Sequence, residues 1–116
     1  MRIAVITLPL LLGVAACGSS FPPPNDEWSA AQADLGRAEA GGAPGVPDAK
    51  LHLQLAQEDL SKAKELIGTD NKRAASLIAL AKAEAQLALS LAKAQIAQAE
   101  AAKAQADVQK AKGGGT

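Results

Sequence analysis

Residues 66–85 read Leu66-Ile67-Gly68-Thr69-Asp70-Asn71-Lys72-Arg73-Ala74-Ala75-Ser76-Leu77-Ile78-Ala79-Leu80-Ala81-Lys82-Ala83-Glu84-Ala85, and the break at Gly68-Thr69-Asp70 separates two helical patterns of unequal length. Glycine suits a left-handed helix stop, and Asp70 starts the next helix after only Thr69. So short a connection predicts an antiparallel hairpin. From Asp70 to Lys112 there is no glycine or proline, and sixteen of the thirty-eight residues from Ala74 to Ala111 are alanine, the strongest helix former. A helix of this extent would reach roughly 65 Å at ~1.5 Å per residue.

Projection at about 100° per residue places Leu77, Leu80, Leu87 and Leu91 on one ridge and Ile78, Leu89 and Ile96 on another. Ala74, Ala81, Ala85, Ala88, Ala92 and Ala99 form the valley between them, narrow enough for close helix approach. Upstream, Pro47-Asp48 starts a helix running to about Ile67, with a seam of Ala49, Leu53, Ala56, Leu60, Ala63 and Ile67 spaced by four and three residues in turn, a coiled-coil rhythm. Leu51, Leu55 and Leu66 make a second stripe, from which a second neighbour is expected. The longer helix overhangs the shorter by about half its length, and beyond Ile96 its only large aliphatic is Val108.

An earlier, shorter helix is capped by Asn25 or Asp26 and carries Trp28, Ala31, Leu35 and Ala38 on one stripe; Gly41-Gly42 ends it. The expected fold is therefore all-α: an antiparallel helical hairpin with a short N-terminal helix and a long C-terminal helix, a small three-helix, coiled-coil-like bundle over residues 26–112. Residues 113–116, three glycines and a threonine, read as a flexible tail.

Before this domain, Met1 and Arg2 precede the apolar run Ile3–Val14 and the small residues Ala15 and Ala16, the pattern of a cleaved signal segment over residues 1–16. Twelve residues of helix span roughly 18 Å against a ~30 Å hydrocarbon layer, too short for a permanent crossing. Val14-Ala15-Ala16-Cys17 resembles the lipobox of bacterial lipoproteins. The resemblance implies cleavage between Ala16 and Cys17, acylation of the Cys17 thiol and, with Gly18 following, delivery to the outer membrane of a Gram-negative envelope. Residues 17–25, with Pro22-Pro23-Pro24, would then be a lipidated tether.

The lipobox, the turn Ala40-Gly41-Gly42-Ala43-Pro44-Gly45-Val46-Pro47, the seam Leu53–Ile67 and the continuation Arg73–Ala85 together resemble bacterial lipoproteins of the domain of unknown function 4398 family. That resemblance covers about residues 30–93 and implies a small periplasmic helical domain with no defined catalytic residues. The chain is also similar to the major murein lipoprotein, whose terminal lysine joins peptidoglycan. Here Lys112 is followed by Gly113-Gly114-Gly115-Thr116, so covalent wall attachment is not expected.

Composition narrows the chemistry. Twelve basic residues equal twelve acidic ones, which disfavours nucleic acid as a partner. One cysteine and one histidine leave no metal-ligand set. His52 reads as a half-exposed helix residue. Glu58 and Asp59 point about 100° apart, so Glu58 is expected to pair with Lys62 at i+4. Ser20, Ser29, Ser61, Ser76 and Ser90 lack a nucleophile-activating partner, Trp28 reads as a core anchor, and Lys82 and Lys93 as a solvated face. No catalytic residue, cofactor or small-molecule substrate is expected. Residues 17–69 carry four basic and eight acidic groups, and residues 70–116 seven basic and four acidic, a complementarity that favours pairing of the halves. The expected function is that of a non-catalytic envelope lipoprotein. It is anchored by its N-terminal lipid, faces the periplasm, and docks another envelope protein or a second copy through its long helix. The alternative is a periplasmic spacer touching peptidoglycan non-covalently.

Overall fold

The computed structural model describes residues 20–115, which form three α-helices: α1 (Asn25–Ala40), α2 (Pro47–Leu66) and α3 (Asn71–Gly113), with a 3₁₀ turn at Ala43–Gly45. Among the described residues there is no strand. The expected signal segment, Ala16 and Cys17 lie outside them.

Each helix boundary has a local cause. Neither Asn25 nor Asp26 caps α1: Pro24 holds that position, and its carbonyl accepts from the Trp28 N–H at 3.0 Å. The helix therefore begins directly after the proline run, with Asp26 and Glu27 in a first turn where negative charge is favoured. Asp70 is the cap of α3 rather than its first residue, and its carboxylate accepts from the Arg73 N–H at 3.0 Å. Gly68, at φ 92°, makes the left-handed stop, and its N–H reaches the Asn71 Oδ1 at 2.7 Å. The Asn71 amide also donates to the Phe21 carbonyl at 2.8 Å, so the segment expected to be a tether touches the α2–α3 turn. α2 ends at Leu66, one residue before the expected Ile67, because Ile67 is already extended at ψ 123°.

The core is built mainly from alanine. One cluster joins Ala31 of α1 with Ala56, Leu60 and Ala63 of α2 and Ile78, Ala81 and Ala85 of α3; Trp28, Leu35 and Leu77 pack against it. The other joins Ala38, Ala43, Ala49, Leu53, Ala88 and Ala92, flanked by Leu35, Val46, Leu89 and Leu91. Residue numbers rise from the first cluster to the second along α1 and α3 and fall along α2. Ile78, at 1% exposure, is the largest fully buried side chain among the described residues. Alanine seams let helix axes approach toward the ~8 Å end of the usual range.

Three sequence expectations change. Ala99 is exposed although Ala74, Ala81, Ala85, Ala88 and Ala92 are buried, because no residue of α1 or α2 follows α3 that far. Leu51 and Leu55 are exposed and Leu66 half-buried: α2 does touch two neighbours, α1 and α3, but through Ala56, Leu60 and Ala63 and not through this stripe. The leucine ridge of α3 splits: Leu77 and Leu91 are half-buried, whereas Leu80 and Leu87 are exposed. Every residue from Lys93 to Gly115 is exposed, as the expected overhang requires.

The turn before α2 depends on two glycines for different reasons. Gly42 has φ 92°, a region that costs other L-residues about 1–2 kcal/mol. A Cβ on Gly41 would lie 2.3 Å from Leu89 Cδ1 and 3.0 Å from the Arg37 carbonyl oxygen. Gly36 sits inside α1 with open space around it. In thermal unfolding followed by far-UV circular dichroism, Gly42→Ala should therefore destabilise by about 1–2 kcal/mol. Gly36→Ala should stabilise by about 1 kcal/mol, and Ile78→Ala should cost about 2–5 kcal/mol.

Candidate functional site

Four groups of polar or exposed residues stand out, and each is placed by a helix face. On the side of α3 that meets α1, Asp34 is buried, ion-paired with Arg37 one turn later and bonded to the Gln86 amide at 3.3 Å. Nearby, Gln57 of α2 donates to Glu39 of α1 at 3.1 Å. This polar seam aligns α1 across the other two helices. Its sequence signal is slight: an Asp34–Arg37 spacing of three residues gives no hint that the aspartate faces inward.

His52 of α2 meets Glu84 of α3 on another face, with Nδ1 2.5 Å from Oε2 and both side chains about one-quarter exposed. His52 lies about 140° round α2 from Gln57, and Glu84 about 160° round α3 from Gln86. The pair is thus on the side away from α1. The half-exposed setting of His52 agrees with the sequence reading; Glu84 as its partner was not foreseen, because the match depends on inter-helix register. Glu58 and Lys62 pair at 3.8 Å as expected, on an exposed face where the contribution is small.

Trp28 is half-buried, with the Lys64 ammonium 5.7 Å from its ring centroid and Asn25 and Ile67 around it. The indole Nε1–H is buried without an acceptor among the described residues, so the ring acts through packing and cation–π attraction. Ser29, Ser61, Ser76 and Ser90 each donate to the carbonyl four residues earlier. Among the described residues no three His, Cys, Asp or Glu side chains gather at metal-binding distance. Lys82 is half-buried and Lys93 exposed.

The largest accessible surface is α3 itself. One eighteen-residue window of it has mean hydropathy 1.3, enough by length and composition to cross a membrane. Its inner face is already occupied by α1 and α2, and beyond Ala92 the helix exposes alanine, glutamine and charged residues, with Ile96 and Val108 as its large aliphatics, around its whole circumference.

The sequence profile of the family described as Domain of unknown function (DUF4398) matches residues 26–111, and the chain belongs to that family. The match begins at the second residue of α1 and stops two residues before the end of α3, so it takes in the packed region and the overhang alike. No curated protein and no solved structure gives a match.

The cross-helix pair is open to direct measurement. In a double-mutant cycle of His52→Ala and Glu84→Ala, unfolding free energies should reveal a coupling of about 1 kcal/mol. Pairing His52→Ala with Glu58→Ala instead should give coupling close to zero.

Proposed function

We propose that this chain is a non-catalytic, lipid-anchored envelope lipoprotein whose long alanine-rich helix serves as a structural and protein-interaction module. In this reading α2 and α3 form an antiparallel hairpin, α1 fills one of its grooves, and the resulting coiled-coil-like bundle presents the far half of α3. The observation that carries it is the exposure of α3 from Lys93 onward, where, past the approach of Ile96 to Gly42, the helix continues without a packing partner among the described residues. Alanine, lysine and glutamine keep such a segment helical by propensity, and a helix free on all sides offers a long regular surface.

The anchor rests on the lipobox-like Val14-Ala15-Ala16-Cys17. Multiple acyl chains on Cys17, at about 0.8 kcal/mol per buried methylene, would hold the domain at a bilayer more firmly than one chain. Outer-membrane placement facing the periplasm follows from Gly18 within the same pattern. A second reading, a spacer that touches peptidoglycan non-covalently, draws on helix length: α3 has 43 residues, roughly 64 Å at ~1.5 Å per residue.

Two experiments test these readings. Cys17→Ala should abolish incorporation of labelled palmitate and leave the signal segment attached; a variant that is still acylated and shortened defeats the lipoprotein reading. A photo-reactive residue introduced at Ala104 or Val108 should give discrete protein adducts in intact cells. Complete absence of adducts, together with co-sedimentation of the domain with isolated peptidoglycan, would favour the spacer instead.

A further inference from the structure

We propose that α3 carries a second seam on its outer face and pairs through it, antiparallel, with α3 of a second copy of this chain. This rests on the reading of α3 as an interaction helix and specifies its partner.

The seam is Leu80, Ala83, Leu87, Ser90, Ala94, Ala97, Ala101, Ala104, Val108 and Ala111, with intervals of three and four residues alternating throughout. All ten are exposed. Three are large aliphatics that a lone helix would leave wet: Leu80 at 49%, Leu87 at 42% and Val108 at 53% exposure. The inner seam of Ala74, Ile78, Ala81, Ala85, Ala88 and Ala92 is buried and lies roughly 160° round the helix. α1 and α2 therefore leave the outer seam clear. No charged residue falls on it: Lys82, Glu84, Lys93, Glu100, Lys103, Asp107, Lys110 and Lys112 all sit on other positions. A heptad-spaced, uncharged face kept over this length is the pattern of a two-stranded coiled coil.

Side-chain size selects the partner and its direction. The large residues gather toward one end, Leu80 and Leu87, and alanine fills the middle. A parallel, in-register pair would stack leucine on leucine at one end and alanine on alanine further along. The axes would then have to be ~10 Å apart in one place and ~8 Å in another. An antiparallel pair sets Leu80 against Ala111 of the second copy, Ala83 against Val108, Leu87 against Ala104, Ser90 against Ala101 and Ala94 against Ala97. Large meets small at the outer layers, and the two-fold axis repeats each layer on the other side. No layer then sets leucine on leucine, and the separation varies less along the seam than in a parallel pair, with the closest approach at the central Ser90–Ala101 and Ala94–Ala97 layers.

Charge agrees with this register. Lys93, Glu100 and Asp107 follow one flank of the seam at seven-residue intervals. Flanks of the same kind face each other only in an antiparallel pair. The layer alignment brings Lys93 opposite Glu100 of the second copy and Glu100 opposite its Lys93, two reciprocal attractions near the centre. From Leu80 to Ala111 the seam is about 46 Å long and a helix presents a strip about 10 Å wide, so on the order of 1,000 Å² is covered in total. That is the lower limit for a specific interface, and the dimer should dissociate on dilution and weaken with salt.

Disulfide trapping in the full chain distinguishes the arrangements. Leu87 and Ala104 are about 25 Å apart within one helix, so a chain carrying both Leu87→Cys and Ala104→Cys cannot close on itself, and both sites are exposed. With the unsubstituted chain as control for Cys17, mild oxidation of membranes should convert the double variant to a covalent dimer on a non-reducing gel. Ala104→Cys alone should stay monomeric. A dimer from Ala104→Cys alone would show a parallel pair and overturn the proposal, as would no dimer from either variant. Adducts from Val108 to a different protein, with the double variant still monomeric, would reject self-pairing while leaving the interaction reading intact. Charge reversal adds an independent check: Lys93→Glu and Glu100→Lys should each raise the dissociation constant severalfold, and the two together should restore it. Failure of that restoration would overturn the register.

Discussion

Everything in this fold depends on how closely α3 lets other helices approach. Ala81, Ala85, Ala88 and Ala92 are buried to 1% exposure or less, and each offers a single methyl where a leucine would hold a neighbour away. Leu53 and Leu60 of α2 fill the space those methyls leave. Close approach compensates for a thin core, because dispersion between backbones and short side chains replaces the large apolar area that few residues here can bury. Ile78, the one large side chain fully enclosed among the described residues, sits about two turns into α3 after the break at Gly68-Thr69-Asp70.

The inward-facing polar groups act on alignment more than on strength. Asp34 with Arg37 and Gln86, and His52 with Glu84, lie on opposite sides of the α2–α3 contact. An alanine seam is repetitive, and sliding α3 by seven residues would still match small side chains to small side chains. The two polar contacts break that degeneracy, since a displaced register would take Gln86 away from the buried Asp34, leaving it only the Arg37 of its own helix, and would separate His52 from Glu84. The glycines contribute at the ends: Gly42 and Gly68 turn the chain, and Gly41 lets Leu89 reach the backbone.

α3 thus has an inner face used within the chain and an outer face with the same heptad rhythm and no occupant among the described residues. The apolarity that gives part of this helix the composition of a membrane-crossing segment is divided between those two faces. Apolar content placed on two seams, with charges confined between them, is what a helix needs to pack on both sides at once.

Sequence by itself determined the helices, their order and most of their buried positions. Proline and glycine punctuate the chain at Pro24, Gly41-Gly42, Pro47 and Gly68, and the alternation of four and three residues marks Leu53, Ala56, Leu60 and Ala63 as inward. Length alone foretold the exposed end of α3, since α2 has 20 residues against its 43. Family membership was likewise legible, because the break and the alanine pattern are local features. What only the tertiary structure decided was which of several similar stripes would be covered. Leu55, Leu80 and Ala99 satisfy the same periodic rules as their buried counterparts, yet each is exposed. Periodicity fixes a residue's angle on its own helix, but burial requires a neighbour at that angle and height. The partners of Asp34 and Glu84 escaped notice for the same reason, as register between helices is set by the sum of many weak contacts and no single residue announces it.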